Sequence, residues 1–220
     1  MNLTLFDLDG TLIPFDSDHA FGEFMVRVGW ADGEDFQRRN DAFYADYLAG
    51  TLDLAAYVDF ATSAWRARPD AQAMRERFMA EVIRPRLHPR ALALVREHQA
   101  AGDLVAVVTA TNEFVTAPIA AAFGIEHLLA VQLERDAAGR VTGAIRGVPS
   151  FREGKIERVH GWLAGLGLAW DAFAKVRFYS DSTNDLPLLE RVHEPVATNP
   201  GAALEAIASE RGWRILRLFE

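Results

Sequence analysis

The chain has no cysteine, no long apolar run and fewer basic than acidic residues. Without cysteine there are no disulfides, no thiolate catalysis and no cysteine-ligated zinc site. Because no apolar run is long enough to span a bilayer, we expect no membrane partner. The formal net charge of −8 argues against a nucleic-acid partner, which would require a basic surface. Asp7 interrupts the only apolar stretch near the N-terminus, so we expect no signal peptide and a cytoplasmic location.

A short apolar segment predicts a buried strand over residues 3–7, which ends in Asp7 and is followed by Asp9 and Gly10. Residues i and i+2 of a strand point the same way, so both carboxylates can face one site. Two carboxylates about 4 Å apart repel by roughly 4 kcal/mol at an effective dielectric near 20. Such a pair needs a cation or a shared proton, and a divalent metal would leave one carboxylate free as a nucleophile. A turn capped by Asp and Gly is the structural alternative.

Helical periodicity replaces the strand pattern between residues 19 and 84. Apolar spacing predicts helices there over 19–30, 34–48, 53–67 and 71–83. Further along, we predict strands over 104–109, 128–135, 141–146, 176–180, 195–198 and 214–218. Helices are predicted between them over 90–101, 113–123, 155–165, 185–191 and 202–211. This alternation predicts an α/β fold with a doubly wound, Rossmann-like, mainly parallel sheet. We expect residues 1–15 and 86–220 to form this core and residues 16–85 to form an inserted helical cap.

Polar residues end or follow the apolar segments in a fixed order along the chain. Asp7 and Asp9 come first, Thr109 ends a strand, Lys155 follows Gly154 at a helix start, and residues 181–185 read Asp-Ser-Thr-Asn-Asp. This order resembles the four motifs of the haloacid dehalogenase (HAD) superfamily over the full length of the chain. An all-helical insertion between the first two motifs is similar to subfamily IB, which contains phosphoserine phosphatases, histidinol-phosphatase-like enzymes and related small-molecule phosphatases.

The resemblance implies a role for each matching residue. Asp7 would be the nucleophile that forms an aspartyl-phosphate, and Asp9 would be the general acid and then the general base. Thr109 and Lys155 would bind the transferring phosphoryl group. Backbone amides at Leu8, Ala110 and Asn112 are further candidate donors, and Asn184 is a candidate phosphate contact from the start of its helix.

The resemblance also implies a metal site built from oxygen ligands. Its candidate ligands are Asp7, Asp9 through its backbone carbonyl, Asp181, and Asp185, which would ligate through water or orient Lys155. Carboxylates, waters and substrate phosphate suit Mg²⁺, whereas the six histidines show no metal-ligand spacing. Helix capping is the structural alternative for Asp181 and Asp185.

These features together predict a Mg²⁺-dependent phosphatase that acts on a small-molecule phosphate ester, as a monomer or homodimer. Two alternatives are a phosphotransferase that uses the same aspartyl-phosphate and a catalytically silent binding protein on the same fold. Asp16, at the entry to the cap, matches by spacing the acidic residue with which phosphoserine phosphatases read a substrate amine. Asp18 and Glu23 are alternative residues for this role. The structural alternative for Asp16 is that it only caps a helix. Four arginines could hold a substrate carboxylate: Arg38, Arg39, Arg66 and Arg68. Histidinol phosphate and phosphoserine are therefore both candidate substrates.

Overall fold

The computed structural model describes residues 1–220, which form eight strands and nine α-helices. The strands are β1 (Leu3–Phe6), β2 (Leu104–Asn112), β3 (His127–Val131), β4 (Leu133–Arg135), β5 (Val141–Ile145), β6 (Val176–Ser180), β7 (Glu194–Thr198) and β8 (Arg214–Leu216). The helices are α1 (Ser17–Arg27), α2 (Gly33–Ala49), α3 (Leu54–Ser63), α4 (Ala71–Phe78), α5 (Pro89–Ala100), α6 (Glu113–Ala122), α7 (Glu153–Gly165), α8 (Leu186–Leu189) and α9 (Ala202–Glu210). None of the helices combines the length and apolarity that crossing a membrane requires.

Six of the strands form one parallel sheet in the order β3-β2-β1-β6-β7-β8. All four residues of β1 are buried, as expected for a central strand covered on both faces. The strand order reverses direction at β1, which pairs with β2 on one side and β6 on the other. In open α/β sheets, ligands bind beyond the carboxyl ends of the strands at this switch point. The segments that follow β1 and β6 therefore meet the end of β2 there.

Helices α1 to α4 lie between β1 and α5 in the chain and pack around buried aromatic rings. The rings of Phe21 and Phe78 are 4.9 Å apart edge to face, and those of Phe36 and Phe60 are stacked at 4.4 Å. The predicted helix over 71–83 is α-helical only to Phe78, because residues Met79–Ile83 form a π-helical turn. Pro85 lacks an N–H, so it cannot donate the backbone hydrogen bond that a regular α-helix would need at this point.

The predicted strand over 128–135 is wrong as a single element, because it divides at Gln132 into β3 and β4. Strand β3 pairs with β2 in the parallel sheet, whereas β4 finds an antiparallel partner in β5. The Gln132 carbonyl accepts a hydrogen bond of 2.8 Å from the Arg146 N–H where the chain leaves the sheet. Residues 136–139 lie in the turn that joins β4 to β5, with Gly139 at a φ of 78°. Strand β2 also runs three residues further than predicted, to Asn112.

Candidate active site

Lys155 lies buried between two carboxylates at the centre of the candidate site. Its Nζ is 2.9 Å from Asp7 Oδ1 and 2.7 Å from Asp185 Oδ1, and all three side chains are almost fully buried. Lys155 is in the first turn of α7, directly after Gly154. A Cβ at position 154 would lie 2.2 Å from the Pro149 carbonyl oxygen, so only glycine allows the helix to begin this close to the preceding loop. The ammonium group is therefore fixed in place by the backbone around it.

Asp9 is held by two hydrogen bonds that come from different elements. Its Oδ1 accepts the N–H of Ser17 at 2.8 Å, and its Oδ2 accepts the hydroxyl of Thr111 at 2.8 Å. The Thr111 N–H in turn donates to Oγ1 of Thr109 at 3.1 Å. The carboxylate of Asp9 thus connects the start of the helical insertion to the end of β2.

Asp181 follows β6 and packs directly against the turn after β1. Thr11 donates a hydroxyl hydrogen bond of 3.1 Å to Asp181 Oδ1. A Cβ on Gly10 would lie 2.2 Å from Asp181 Oδ2, and Gly10 also has a φ of 71°. Both the close approach and the left-handed conformation require glycine at this position. Asp185 is tied to the same loop, because Ser180 Oγ donates to Asp185 Oδ2 at 2.7 Å.

The site holds two buried carboxylates, Asp7 and Asp185, and two half-buried ones, Asp9 and Asp181, around the single ammonium group of Lys155. Burial raises the pKa of Asp7 and of Asp9 to about 7 each. Burial, together with the charges of Asp7 and Asp185, raises the pKa of Asp181 well above its usual value. Burial opposes the charge on Lys155, but the two carboxylates that it contacts outweigh this and raise its pKa. The excess negative charge fits a divalent cation.

The donor chemistry limits which carboxylates can bind such a cation. No three acidic or histidine side chains form a ready-made metal cluster in the structure. Asp185 is engaged with Lys155 and Ser180, and Asp9 accepts hydrogen bonds with both oxygens. The side chains of Asp7 and Asp181 remain as candidate ligands. Mg²⁺ is typically bound by one or two carboxylates, and waters and substrate phosphate complete its coordination.

A pocket opens beside Asp7 and Asp9, with an empty volume of about 430 Å³. The core side of the pocket is formed by Thr109, Ala110 and Thr111. The helical insertion contributes Asp16 and six apolar or aromatic residues, namely Phe43, Tyr44, Tyr47, Leu52, Leu54 and Tyr57. No lysine, arginine or histidine lines this pocket.

Asp16 both caps a helix and lines the pocket. Its Oδ1 accepts the His19 N–H at 2.8 Å at the start of α1. Burial is the main cause that raises the pKa of Asp16 to about 6, and the nearby charge of Asp18 adds to it. The capping alternative and the predicted position at the site are therefore both found in the structure.

Asn184 and Asp18 are sequence candidates that do not line the pocket. Asn184 donates its amide to the Tyr47 carbonyl at 3.0 Å, so it joins the loop after β6 to the end of α2. Its role as a phosphate contact remains a prediction. Asp18 is buried and accepts bonds of 3.2 and 3.1 Å from Asn112 Nδ2, which links α1 to the end of β2. The four candidate arginines are also outside the pocket, and Arg66, for example, pairs with Asp59.

Sequence reasoning missed Thr111 and Ser17, which form hydrogen bonds to Asp9. It also missed Tyr44, which lines the pocket. A signal for Thr111 is present in the sequence, because it lies two residues after Thr109 and so on the same face of β2. For Tyr44 and Tyr47 the helical spacing shows a shared face of α2. It does not show that this face looks onto a pocket rather than into a core. No local signal marks the Ser17 N–H.

Comparisons with known proteins agree with this geometry. A family model for haloacid dehalogenase-like hydrolases matches residues 4–190 of the chain. The chain is 45% identical over 217 residues to a histidinol-phosphatase from Neisseria meningitidis serogroup C (strain 8013), and the match covers 98% of each. A solved structure of a protein of unknown function from Bordetella pertussis Tohama I is similar at a TM-score of 0.93, with 51% identity and 99% of both chains covered.

More distant structures show the fold alone. A substrate-bound phosphoserine phosphatase has a TM-score of 0.69 at 16% identity, over 98% of this chain and 92% of that one. The sheet order and these neighbours confirm the predicted α/β, Rossmann-like fold. The predicted resemblance is confirmed by the family model and by the 45% identical relative.

Proposed function

The chain belongs to the family of haloacid dehalogenase-like hydrolases, and from this premise we propose that it is a Mg²⁺-dependent phosphatase. Its substrate in this proposal is a small phosphate monoester with an amine and no carboxylate, and histidinol phosphate is the favoured candidate. The reaction passes through a phosphorylated Asp7. Residues 1–15 and 86–220 form the catalytic core in this proposal, and residues 16–85 form a cap over the pocket.

Asp7 is the nucleophile in this mechanism. One carboxylate oxygen attacks phosphorus, the alcohol of the substrate leaves, and the phosphoryl group becomes bound to Asp7. A water molecule then attacks the same phosphorus, which releases phosphate and regenerates the carboxylate. Lys155 contacts Asp7 Oδ1 at 2.9 Å and offsets negative charge where the phosphoryl group arrives.

Asp9 moves the protons in both halves of the reaction. It protonates the leaving alcohol in the first half and accepts a proton from the attacking water in the second. A carboxyl group with a pKa of about 7 populates both protonation states near neutral pH, which suits this double role. The hydrogen bonds from Ser17 and Thr111 fix its orientation toward the pocket.

A divalent cation bound here would supply positive charge to the phosphoryl group and would reduce the repulsion between Asp7 and the neighbouring carboxylates. Asp7 and Asp181 would hold it with the backbone carbonyl of Asp9, while Asp185 keeps Lys155 in position. Thr109 and the Ala110 amide are the proposed phosphate contacts, because both residues line the pocket beside Asp7.

The choice of substrate rests on one observation, which is that no cationic side chain lines the pocket. The carboxylate of phosphoserine would lie in a pocket whose charged lining groups are Asp7, Asp9 and Asp16, with no partner there. An ammonium or imidazolium group would instead find Asp16 and a wall of aromatic rings, both of which favour cations. Histidinol phosphate has such groups and no carboxylate. The 45% identical relative from Neisseria meningitidis is a histidinol-phosphatase, which supports the same choice.

The test is a comparison of kcat/KM for histidinol phosphate, phosphoserine and glycerol phosphate in the presence of Mg²⁺. Like charges about 4 Å apart cost roughly 4 kcal/mol at an effective dielectric near 20, so we expect phosphoserine to be at least about 100-fold poorer than histidinol phosphate. Chelation by EDTA should abolish hydrolysis, and added Mg²⁺ should restore it. Equal use of phosphoserine would overturn the substrate assignment, and full activity in EDTA would overturn the metal dependence.

A further inference from the structure

A second groove lies between the helical insertion and the core, beside α6 and the β4–β5 hairpin. Trp65 and Arg66 follow α3 there, and Arg75 belongs to α4. The core side is formed by Glu113 and Phe114 of α6 and by the hairpin arginines Arg135 and Arg140. None of these residues lines the pocket beside Asp7.

Two buried donors at this groove have no acceptor. Trp65 is only 3% exposed, and its Nε1 has no hydrogen-bond partner. The Nε of Arg75 is likewise buried and unpartnered. Buried donors are paired in the great majority of cases, and an unpaired one is costly. Both side chains line the groove, so its wall carries two donors for which this chain supplies no acceptor.

The orientation of Arg75 is fixed by its surroundings. Its Nη1 donates to the Phe114 carbonyl at 2.9 Å, and its guanidinium carbon is 4.7 Å from the centre of the Phe114 ring. The ring of Trp65 stacks on Phe114 at 3.9 Å. Both unpartnered donors are therefore held against the same phenylalanine. Partial burial lowers the pKa of Arg75, and the nearby charge of Glu76 offsets this only in part. Arg75 forms no salt bridge in the structure.

The groove is positively charged in a chain whose net charge is −8. Arg66 is paired with Asp59, and Arg140 is paired with Asp136. Arg75 and Arg135 have no carboxylate partner, and Arg135 donates only to the Gly139 carbonyl. Glu113 is the one acidic residue in the lining, and its Oε1 accepts the Leu133 N–H.

We propose that this groove is a second binding site for a phosphate-type oxyanion, with Arg75 and Arg135 as its main contacts. The planar guanidinium group matches the oxygens of phosphate, which accept several hydrogen bonds at once. The oxyanion is either free phosphate or the phosphate of a monoester. Because α4 and the hairpin face each other across the groove, the bound anion joins the insertion to the core.

The experiment is equilibrium dialysis of the Mg²⁺-loaded enzyme against labelled inorganic phosphate. A parallel arm uses methylphosphonate, a phosphonate analogue of a phosphate monoester that cannot be hydrolysed. Wild type should bind two equivalents, one at the active site and one at the groove. Arg75→Gln and Arg135→Gln should each weaken the second equivalent at least tenfold and leave the first unchanged. Arg96→Gln makes the same charge change on the exposed side of α5 and serves as the matched control.

Tighter binding of methylphosphonate than of phosphate at the groove would assign the site to monoesters, and the reverse would assign it to free phosphate. Binding by wild type of a single equivalent that both arginine variants retain would overturn the proposal. Retention of the second equivalent by both arginine variants would also overturn it. If Arg75→Gln fails to fold, Arg135→Gln decides, because its side chain belongs to an exposed hairpin. Binding by wild type of a single equivalent that both arginine variants lose would support the groove and count against the proposed active site.

Discussion

Replacement of Asp16 by asparagine is expected to weaken hydrolysis of amine-bearing phosphates and to spare neutral ones. Asparagine caps helices as well as aspartate does, so the bond from the His19 N–H to position 16 is retained. The substitution removes the negative charge from the pocket. Burial raises the pKa of the Asp16 carboxyl to about 6, so this group is mostly ionised at pH 7.5. The variant therefore tests the charge and preserves the shape.

The magnitude follows from the strength of one charge-assisted hydrogen bond. Such a bond contributes about 1.5–3 kcal/mol. Its loss should lower kcat/KM for histidinol phosphate by roughly 10- to 150-fold, since about 1.4 kcal/mol corresponds to a factor of ten. Glycerol phosphate has no amine, so its kcat/KM should change by less than about threefold.

Asp53→Asn provides a matched control in steady-state assays at pH 7.5. Asp53 caps α3 by accepting the Ala56 N–H at 3.1 Å, and its side chain is exposed to solvent. This variant should behave like wild type with both substrates. Equal losses on histidinol phosphate and glycerol phosphate in Asp16→Asn would refute the proposed contact, because a capping defect affects every substrate alike.

Three further expectations concern the acid/base group, a buried carboxyl and the cap. Asp9→Asn should slow hydrolysis of alkyl phosphates far more than it slows formation of the phospho-enzyme from an aryl phosphate. The reason is that a good leaving group needs no proton. A stopped-flow burst with p-nitrophenyl phosphate measures phospho-enzyme formation directly. Burial raises the pKa of Asp18 from 3.8 to about 7, so the folded state retains a proton that the unfolded state has lost, and this contribution to stability falls as pH rises from about 4 to 7. Urea unfolding should therefore show that Asp18→Asn gains about 2–3 kcal/mol relative to wild type between pH 5 and pH 8, and equal pH dependence would contradict this. Crystals with and without a phosphate mimic should show residues 16–85 displaced as a body about joints near residues 14–16 and 84–89. The π-helical turn at Met79–Ile83 adjoins the second joint. An unchanged cap that already admits substrate would contradict this expectation.

The order of the core elements could be predicted from periodicity because each strand and helix has a pattern of its own. Residues 176–180 match β6 residue for residue, since a buried apolar strand is bounded there by polar segments. The division at Gln132 could not be predicted, because the change of hydrogen-bonding partner from β2 to β5 leaves no mark in the local apolar pattern. Pairing partners in a sheet are set by the whole fold.

The same limit applies to the candidate site. Asp7, Thr109 and Asp181 could be placed together because strand ends meet at one edge of a parallel sheet. The contact between Asp18 and Asn112 spans 94 residues and joins the insertion to the core. A contact of this kind depends on how the two parts pack, which neither periodicity nor spacing describes.

The most direct test of the central claim is detection of the phosphoryl group on Asp7. Acid quench of Asp9→Asn during turnover of an aryl phosphate, followed by peptide mass spectrometry, should show one added phosphoryl group on the peptide that contains residue 7. Asp7→Asn should show neither this adduct nor significant turnover. Phosphorylation of a different residue, or sustained turnover by Asp7→Asn, would contradict the account.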